Sequence, residues 1–372
     1  MARSAGARVV LAGGGTAGHV LPGLAVAREL LSRGYGPGDI TFVGSERGIE
    51  TRVVPEAGFE LVALPGRGIQ RRLTWANLGA ALSLVAGIVQ AVVLVGRLRP
   101  AVVVVLGGYA AVPATVGALL WRVPMVVMEQ NARAGAANRL AGRFARAAAV
   151  AFPGTDLPRA VVTGNPVRPE VQAVCRATDR DRARAELGLP VDRTVVGVFS
   201  GSLGARRINE ATLGAVQRWA HREDLAVRHV IGSRDWDALA PRLPCPPRPG
   251  LVYQPVRYED HMERLLAAAD LVVCRAGGTT VAELAQVGLP AVLVPLPIAP
   301  RDHQRANAEV LVRAGAAVVV ADEDLDADRL VREVEPLVED PERLAAMGRA
   351  AATLARPDAA ARVADLVERW AR

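Results

Sequence analysis

The chain contains the same local pattern twice, a short apolar strand that leads through a glycine-rich turn into an amphipathic helix. The first copy has a strand at 8–12, a turn at 13–18 and a helix from about His19. The second copy has a strand at 194–199 and a turn at 200–205. Strands that alternate with helices predict a parallel sheet with helices on both faces. The repeat therefore predicts an α/β protein with two successive sheets.

Further strand signals fall into the same two groups, since short apolar runs bounded by glycine, proline or charged residues indicate buried strands. They lie at 40–44, 101–106, 125–128 and 147–151, and then at 228–231, 251–253, 271–274, 291–294 and 317–320. Residues 161–169 break the pattern with two prolines and a glycine, which predicts an interdomain connector. At 372 residues the chain is long enough for two domains. We expect domains at 1–164 and 165–340, and a helical tail at 341–372 that packs back on the first.

Two long uncharged runs, 73–96 and 100–121, raise the question of a membrane span. The second run divides into a strand, a turn at Gly107-Gly108-Tyr109 and a short helix near Pro113. The first is interrupted by polar residues and glycines, and it fills the place where the alternation needs a helix. We therefore favour a helix of a soluble domain over a span. No apolar signal segment precedes the first strand, which predicts the cytoplasm.

Charge and cysteine content exclude several classes of function. The net charge of +7 fits an anionic partner, either a phosphate-rich substrate or an acidic membrane surface. The arginines are spread along the chain without a basic motif that contains aromatic residues, so no nucleic acid is expected. The three cysteines have neither CxxC nor histidine-rich spacing, which argues against a disulfide framework and a zinc site. We expect no metal and no cofactor.

The first glycine-rich turn has the GxGxxG spacing of dinucleotide-binding proteins, at Gly13, Gly15 and Gly18. The acidic residue that should end the second strand is missing, because that strand ends in Val43-Gly44-Ser45. The helix carries His19 in its first turn, where exposed N–H groups and the helix dipole favour anions. Two interpretations remain open. His19 makes a local hydrogen bond at the helix start, or it accepts a proton or contacts a phosphate.

Three polar segments follow strands of the second domain, and open parallel sheets bind ligands at the carboxyl ends of their strands. Residues 200–205 form either a plain tight turn or an anion-binding turn. Residues 275–283 form either a helix start with a Thr280–Glu283 capping box or a diphosphate cradle with a carboxylate for ribose hydroxyls. Residues 302–307 form either an ordinary polar loop or a surface that contacts a sugar.

Six motifs in order resemble the bacterial N-acetylglucosaminyltransferase family that forms lipid II. They lie at 14–22, 129–131, 163–168, 201–206, 275–283 and 302–307. The resemblance implies a GT-B fold, in which two Rossmann-like domains have a cleft between them. It implies transfer of N-acetylglucosamine, with inversion, from UDP-N-acetylglucosamine to the C4 hydroxyl of the muramoyl residue of undecaprenyl-linked lipid I. The product would be lipid II for peptidoglycan synthesis.

The same resemblance implies roles for individual residues, with His19 as the candidate general base. The residues implied to bind the donor are Thr16, Gly18, Asn131, Arg168, Ser202, Met262, Gly277, Gly278, Thr279, Glu283, His303 and Gln304. Those implied on the acceptor side are Gly15, Tyr109 and Asn138, with Asn131 beside them. Leu203 stands where the family usually has Gln, so a side-chain contact from this position to the donor is not expected.

Family members are peripheral proteins on the cytoplasmic face of the cell membrane, which they contact through an apolar patch ringed by basic residues. The residues that would form this patch are Arg67, Arg71, Arg72, Leu73, Trp75 and Leu78. Such a patch is consistent with an interfacial element.

Alternative functions remain open from the residues alone. Another GT-B enzyme would use a different lipid acceptor or act as a UDP-N-acetylglucosamine epimerase, which needs no membrane patch. The interpretation as a dinucleotide-dependent oxidoreductase depends on the turn at 13–18 alone. A non-catalytic nucleotide-sugar sensor would keep Glu283 and have no need of His19.

Overall fold

The structure, a computed structural model, describes residues 8–65, 76–201 and 204–372, and of residues 76–82 the backbone alone. The chain divides into two compact units, Met1–Arg168 with Arg356–Arg372 and Pro169–Ala355. Each unit has a sheet of its own, in which all neighbouring strands are parallel.

The first unit contains a seven-stranded sheet in the order β3-β2-β1-β4-β5-β6-β7. Its strands are β1 (Val9–Gly13), β2 (Ile40–Ser45), β3 (Glu60–Leu64), β4 (Val102–Gly107), β5 (Met125–Glu129), β6 (Ala147–Val150) and β7 (Ala160–Val162). Its helices are α1 (Ala17–Ser32), α2 (Glu50–Glu56), α3 (Ala76–Leu98), α4 (Ala111–Leu120), α5 (Ala136–Gly142) and, from the end of the chain, α15 (Ala359–Trp370). The strand order reverses between β1 and β4.

The second unit contains a six-stranded sheet in the order β10-β9-β8-β11-β12-β13. Its strands are β8 (Thr194–Phe199), β9 (Leu225–Val230), β10 (Val252–Val256), β11 (Leu271–Cys274), β12 (Ala291–Leu293) and β13 (Ala317–Val319). Its helices are α6 (Pro169–Gln172), α7 (Arg176–Leu187), α8 (Arg206–Arg218), α9 (Trp236–Leu239), α10 (Met262–Ala268), α11 (Gly278–Val287), α12 (His303–Arg313), α13 (Ala327–Val338) and α14 (Pro341–Ala352). The order reverses between β8 and β11.

Burial on both faces explains the continuous apolar runs of the central strands. In β1, Val9 and Leu11 belong to the core on one face, while Val10 and Ala12 belong to the core on the other. All six residues of β4 are buried in the same way. A parallel sheet covered by helices needs apolar side chains on both faces, so its strands lose the alternation that a half-exposed strand shows.

The sequence missed two strands at the edges of the first sheet. β3 carries exposed and half-exposed residues, and β7 has only three residues. Val161 and Val162 lie in β7, so the prediction that residues 161–169 are wholly a connector was wrong at its start. Short edge strands bury little apolar surface, which is why the apolar pattern does not reveal them.

The end of the chain is shared between the two units. Helix α14 belongs to the second unit, and the residues from Arg356 onward belong to the first. Val363 and Val367 of α15 are fully buried in the core that also contains Val9 and Leu11. The helix is held at its surface by Arg33, directly after α1, which donates hydrogen bonds to the carboxylates of Asp365 and Glu368.

Most of the uncharged run at 73–96 lies in α3 of the first unit. Among the residues that the structure describes, no helix is long and apolar enough to cross a membrane.

Candidate functional site

In the first unit, two glycine-rich loops meet where β1 and β4 end. The Gly14 N–H donates to the Gly107 carbonyl oxygen at 3.1 Å. Gly108 has φ of +80°, and a Cβ there would collide with the Gly14 carbonyl oxygen. Glycine is therefore required by both the backbone conformation and the close approach of the two loops. The carboxyl ends of β1 and β4 thus form one continuous backbone surface at the point where the strand order reverses, a common place for ligands.

The buried carboxylate of Glu50 fixes the first glycine loop through hydrogen bonds. Its Oε2 accepts from the Gly15 N–H at 2.8 Å, and its Oε1 accepts from the N–H and the hydroxyl of Ser45 at 2.8 and 3.0 Å. Side chains at Gly14, Gly44 or Gly48 would collide with this carboxylate. Glu50 therefore occupies the space beside the loop. Sequence reasoning missed Glu50, although the glycines at 44 and 48 mark the space that it needs.

His19 lies in the first turn of α1, where the sequence placed it. Its Nδ1 lies 3.1 Å from the Oγ1 of Thr16, the residue that precedes the helix. The predicted local hydrogen bond is therefore present. The other edge of the ring faces the second glycine loop, because a Cβ at Gly107 would lie 3.1 Å from Nε2. The amide nitrogen of Asn138 would lie 3.4 Å from the same point, so the structure brings His19 and Asn138 together.

The segment after β5 is organised by Glu129, a buried residue at only 2% exposure. Its Oε1 accepts from the N–H and the side-chain amide of Asn131, both at 3.0 Å. Its Oε2 accepts from the Gly135 N–H and from the Asn138 amide, both at 2.9 Å. Four hydrogen bonds to one carboxylate fix both asparagines. No role of its own was predicted for Glu129, although it stands in the motif 129–131.

Tyr109 follows the second glycine loop and is tied to neighbouring backbone by its hydroxyl. The hydroxyl donates to the Pro65 carbonyl oxygen at 2.9 Å, and the Ser83 carbonyl oxygen lies at 3.3 Å. Burial raises the pKa of the Tyr109 hydroxyl, which keeps it a hydrogen-bond donor near neutral pH.

In the second unit, α11 begins directly after β11, at the point where the order of the second sheet reverses. The helix starts at Gly278, and Gly277 precedes it with an extended backbone. Thr280 is thus the third helical residue and Glu283 the sixth, so the capping-box interpretation of this pair was wrong. The first N–H groups of a helix have no partner within the helix and favour anions. Gly277, Gly278 and Thr279 present these groups at the carboxyl edge of the sheet.

Glu283 is a buried carboxylate at 7% exposure, in the second turn of α11. It lies close enough to Cys274, at the end of β11, to raise the pKa of that thiol, although burial is the larger cause. Asn307 of α12 is fully buried and donates to the Ala276 carbonyl oxygen at 3.0 Å. The turn before α11 is therefore fixed from α12, and Asn307 has a positioning role.

The segment that leads into α12 has an unusual backbone. Arg301 and Asp302 both have left-handed backbone angles, with φ of 55° and 53°. Such residues cost roughly 1–3 kcal/mol each and cluster at functional sites. Gln304 fixes the segment, since its Oε1 accepts from the Leu296 N–H at 2.9 Å. His303 Nδ1 lies 2.9 Å from the Pro300 carbonyl oxygen, which requires a proton on Nδ1 and leaves Nε2 unprotonated in the neutral ring.

A buried polar network lies under the turn that follows β8. Asn209 of α8 donates to the Ile231 carbonyl oxygen at 3.0 Å and to Asp235 at 3.2 Å, so its Oδ1 is the atom that faces His229 Nε2 at 3.0 Å. His229 therefore carries its proton on Nε2, and its Nδ1 accepts from the Tyr253 hydroxyl at 3.0 Å. The sequence did not point to this network, whose signal in β9 is a histidine beside Arg228 among apolar residues.

The other predicted site residues lie in different parts of the two units. Thr16, Gly18 and Asn131 lie in the first unit, although the resemblance assigned them to the donor. Arg168 is the last residue of the first unit before the chain enters the second. Met262 begins α10 in the second, directly after a loop in which Glu259 accepts from the His261 N–H. Ser202 lies outside the described residues, as does Leu203.

Two family comparisons cover most of the chain. The N-terminal domain of glycosyltransferase family 28 matches residues 9–150, and the C-terminal domain of the same family matches residues 195–363. Together they include both glycine-rich loops of the first sheet and the start of α11.

The chain belongs to glycosyltransferase family 28.

Relatives that match this glycosyltransferase over nearly their full length share one name. The chain is 44% identical to UDP-N-acetylglucosamine–N-acetylmuramyl-(pentapeptide) pyrophosphoryl-undecaprenol N-acetylglucosamine transferase of Nocardioides, over 97% of each chain. It is 44% identical to the protein of that name from Acidothermus cellulolyticus, over 98% of each chain. The crystal structure of Acinetobacter baumannii MurG is similar with a TM-score of 0.75 and 29% identity, over 97% of this chain and 99% of that one. The resemblance drawn from the six motifs is confirmed, and so is the GT-B fold.

Replacement of Glu50 by Gln should destabilise the family 28 N-terminal domain. Both oxygens of Glu50 accept hydrogen bonds, so an amide nitrogen in place of either oxygen faces a donor and leaves it unsatisfied. We expect Glu50→Gln to lower the free energy of unfolding by about 1–3 kcal/mol, measured by urea denaturation. Glu56→Gln on the same helix is the matched control, because Glu56 is exposed, and should change stability by less than about 0.5 kcal/mol. Equal effects of the two variants would contradict the role of Glu50.

The stability of the second unit should depend on pH through His229. Burial lowers the pKa of His229 from 6.5 to about 3. The unfolded chain therefore takes up this proton first, and stability is lost as the pH falls from about 6.5 towards 3. By pH 5 the loss should reach about 2 kcal/mol, and His229→Gln should remove that part of the slope. His221→Gln, at an exposed histidine, is the control. A wild-type slope in His229→Gln would show that His229 does not titrate in this way.

Proposed function

We propose that the protein transfers N-acetylglucosamine from UDP-N-acetylglucosamine to the C4 hydroxyl of the muramoyl residue of lipid I, with inversion, and so forms lipid II. The observation that carries this proposal is the start of α11, where the backbone N–H groups of the first turn, at Gly277, Gly278 and Thr279, stand about one turn before the buried carboxylate of Glu283. This arrangement offers hydrogen-bond donors to a diphosphate and an acceptor to ribose hydroxyls. The full-length relatives named as N-acetylglucosamine transferases support the same reaction.

The second unit would bind the donor. The helix start stabilises the negative charge that develops on the departing UDP, because its N–H groups are already oriented. Glu283 accepts hydrogen bonds from the ribose hydroxyls. The side-chain amide of Gln304 is free to donate to the sugar, since its oxygen is already bonded to Leu296. Arg168, Ser202, Met262 and His303 complete the proposed donor set.

The first unit would bind the acceptor. When Nδ1 of His19 donates to Thr16, the neutral ring has its lone pair on Nε2, the atom that can accept the proton of the attacking hydroxyl. Asn138 is held near the ring by Glu129, which also accepts from Asn131, with Gly15, Gly18 and Tyr109 on the same edge of the sheet. The dinucleotide interpretation of this loop is disfavoured, since Glu50 fills the space next to the glycines.

The direct test of the reaction uses labelled UDP-N-acetylglucosamine and a short-chain lipid I analogue. We expect the label in a disaccharide product that forms only when both substrates are present. Release of free N-acetylglucosamine or its epimer, with no disaccharide, would contradict the proposal.

Replacement of Glu283 should weaken donor binding. A hydrogen bond to a charged group contributes about 1.5–3 kcal/mol, so Glu283→Ala should raise the KM for UDP-N-acetylglucosamine roughly ten- to a hundredfold and leave the KM for the acceptor little changed. Glu309→Ala on α12 is the control, because Glu309 is exposed and pairs only with Arg313 among described residues. An unchanged KM for the donor in Glu283→Ala would contradict the proposal that Glu283 binds the ribose hydroxyls.

We also propose that the first unit is the membrane-associated one, on the cytoplasmic face. The six predicted patch residues lie outside the side chains that the structure describes. The adjoining part of α3 exposes Val85, Val89 and Val93 at four-residue intervals, so they lie along one side of the helix. The half-exposed ring of Trp121 lies against this helix, since its Nε1 donates to the Val92 carbonyl oxygen.

Basic residues lie at one end of this apolar strip, with Arg97, Arg99 and Arg122 exposed at the carboxyl-terminal ends of α3 and α4. Apolar side chains flanked by arginines suit the surface of an anionic bilayer, because the apolar chains enter the interface while the charges meet the head groups.

Introduction of a charge into the strip should weaken binding to membranes. We expect Val89→Glu to reduce binding to phosphatidylglycerol vesicles roughly tenfold, measured by sedimentation, and to leave the rate with a soluble acceptor unchanged. Val312→Glu, an exposed valine of α12, makes the same chemical change in the second unit and should bind like the wild type. Equal binding by both variants would argue against the strip.

A further inference from the structure

The second unit has an arginine-rich pocket at the opposite edge of its sheet from the proposed donor site. The pocket lies where strands begin, since it is lined by Thr194 at the start of β8, by Asp270 just before β11 and by Pro290 just before β12. Its volume is about 680 Å³, within the range of small-molecule sites. The donor loops lie at the carboxyl edge, so they take no part in this pocket.

Three of the arginines come from one side of α7. Arg176, Arg180 and Arg184 stand four residues apart, and all three line the pocket. Like charges at this spacing destabilise a helix, so their presence on one side needs a compensating negative charge. The sequence of α7 shows this stripe, although nothing in the proposed reaction uses it.

The compensation that the protein itself provides is small. Asp270 is shared by all three, at 2.6 Å from Arg184, 3.8 Å from Arg176 and 3.9 Å from Arg180. Arg193 and Arg349 also line the pocket and have no carboxylate partner within 4.0 Å among the described residues. With Asp192, the walls carry five arginines and two aspartates, a formal charge of +3.

The arginines of the pocket divide into two kinds. Arg176, Arg184 and Arg193 are anchored by backbone carbonyl oxygens, Arg176 at Ala269, Arg184 at Ala268 and Arg193 at Gly250. Arg180 and Arg349 have no carbonyl anchor among the described residues; both are exposed, and Arg180 also pairs with Asp181 at 3.3 Å. Burial lowers the pKa of Arg176, and repulsion from Arg180 and Arg184 adds to that effect. An anion in the pocket would relieve this repulsion.

We propose that this pocket binds a small phosphate-bearing anion, at a site separate from that of the nucleotide sugar. Guanidinium groups bind phosphate oxygens through paired, charge-assisted hydrogen bonds, and a concave surface of one charge concentrates such anions. The anchored arginines form a fixed base for the site. Arg180 and Arg349 close on the ligand. The phosphate belongs either to a free solute or to a lipid head group, and the experiment separates the two.

Pyrophosphate is the probe, titrated calorimetrically into the full-length protein at constant ionic strength with UDP at saturation. The test variant is Arg180→Ser/Arg349→Ser. The matched control is Arg182→Ser/Arg343→Ser, which removes two arginines from the same two helices at exposed positions outside the pocket. Both variants lose the same charge and keep the anchored arginines. The comparison between them does not depend on the proposed reaction.

We expect the test variant to bind pyrophosphate about tenfold more weakly than the wild type, or worse, and the control to bind within about twofold of it. Equal weakening in both variants would show that pyrophosphate binding depends on net charge alone and would overturn the proposal. So would the absence of any pyrophosphate binding by the UDP-saturated wild type. Competition by phosphatidylglycerol vesicles, but not by phosphatidylcholine vesicles, would identify a lipid head group as the source. Lack of competition would identify a free solute.

Discussion

The loops of the site depend on buried polar side chains that bind loop backbone or amide groups. A parallel sheet leaves its carboxyl edge to loops, whose N–H and carbonyl groups have no strand or helix partners. In the first unit the carboxylates of Glu50 and Glu129 accept hydrogen bonds from the loops that follow β1 and β5. In the second, Asn307 and Asn209 donate to backbone carbonyl oxygens that border the corresponding turns. Loss of one such partner leaves the group it bonded unsatisfied, at a cost of about 1–3 kcal/mol.

The placement of charge follows from this arrangement. Glu50 and Glu129 lie beneath their loops and are bonded on both oxygens. The surface above them is therefore made of backbone, histidine, tyrosine and amide groups. In the second unit, the start of α11 presents N–H groups, and Glu283 stands one turn further along the helix. Diphosphate oxygens and sugar hydroxyls would both find partners on such a surface.

The sequence predicted the central strands well because burial on both faces gives them continuous apolar runs. It missed β3 and β7, which are short, lie towards the edges and bury little. It placed His19 and the start of α11 correctly, since glycine-rich turns between strand and helix have a local signature. It could not decide between a capping box and a ligand role for Glu283, because that choice depends on whether the N-cap residue is Gly277 or Thr280. Glu50 acts on a loop 35 residues away, and no local pattern shows such a contact.

The central claim is that the nucleotide sugar binds at the start of α11 and the segment before α12. Hydrogen exchange of the full-length protein, with and without saturating UDP-N-acetylglucosamine, tests this most directly. Binding at this site should slow exchange at Gly277, Gly278 and Thr279, whose N–H groups lie at the start of the helix, and in the backbone around Gln304. Protection confined to the glycine loop before α1, with none in the second unit, would contradict it.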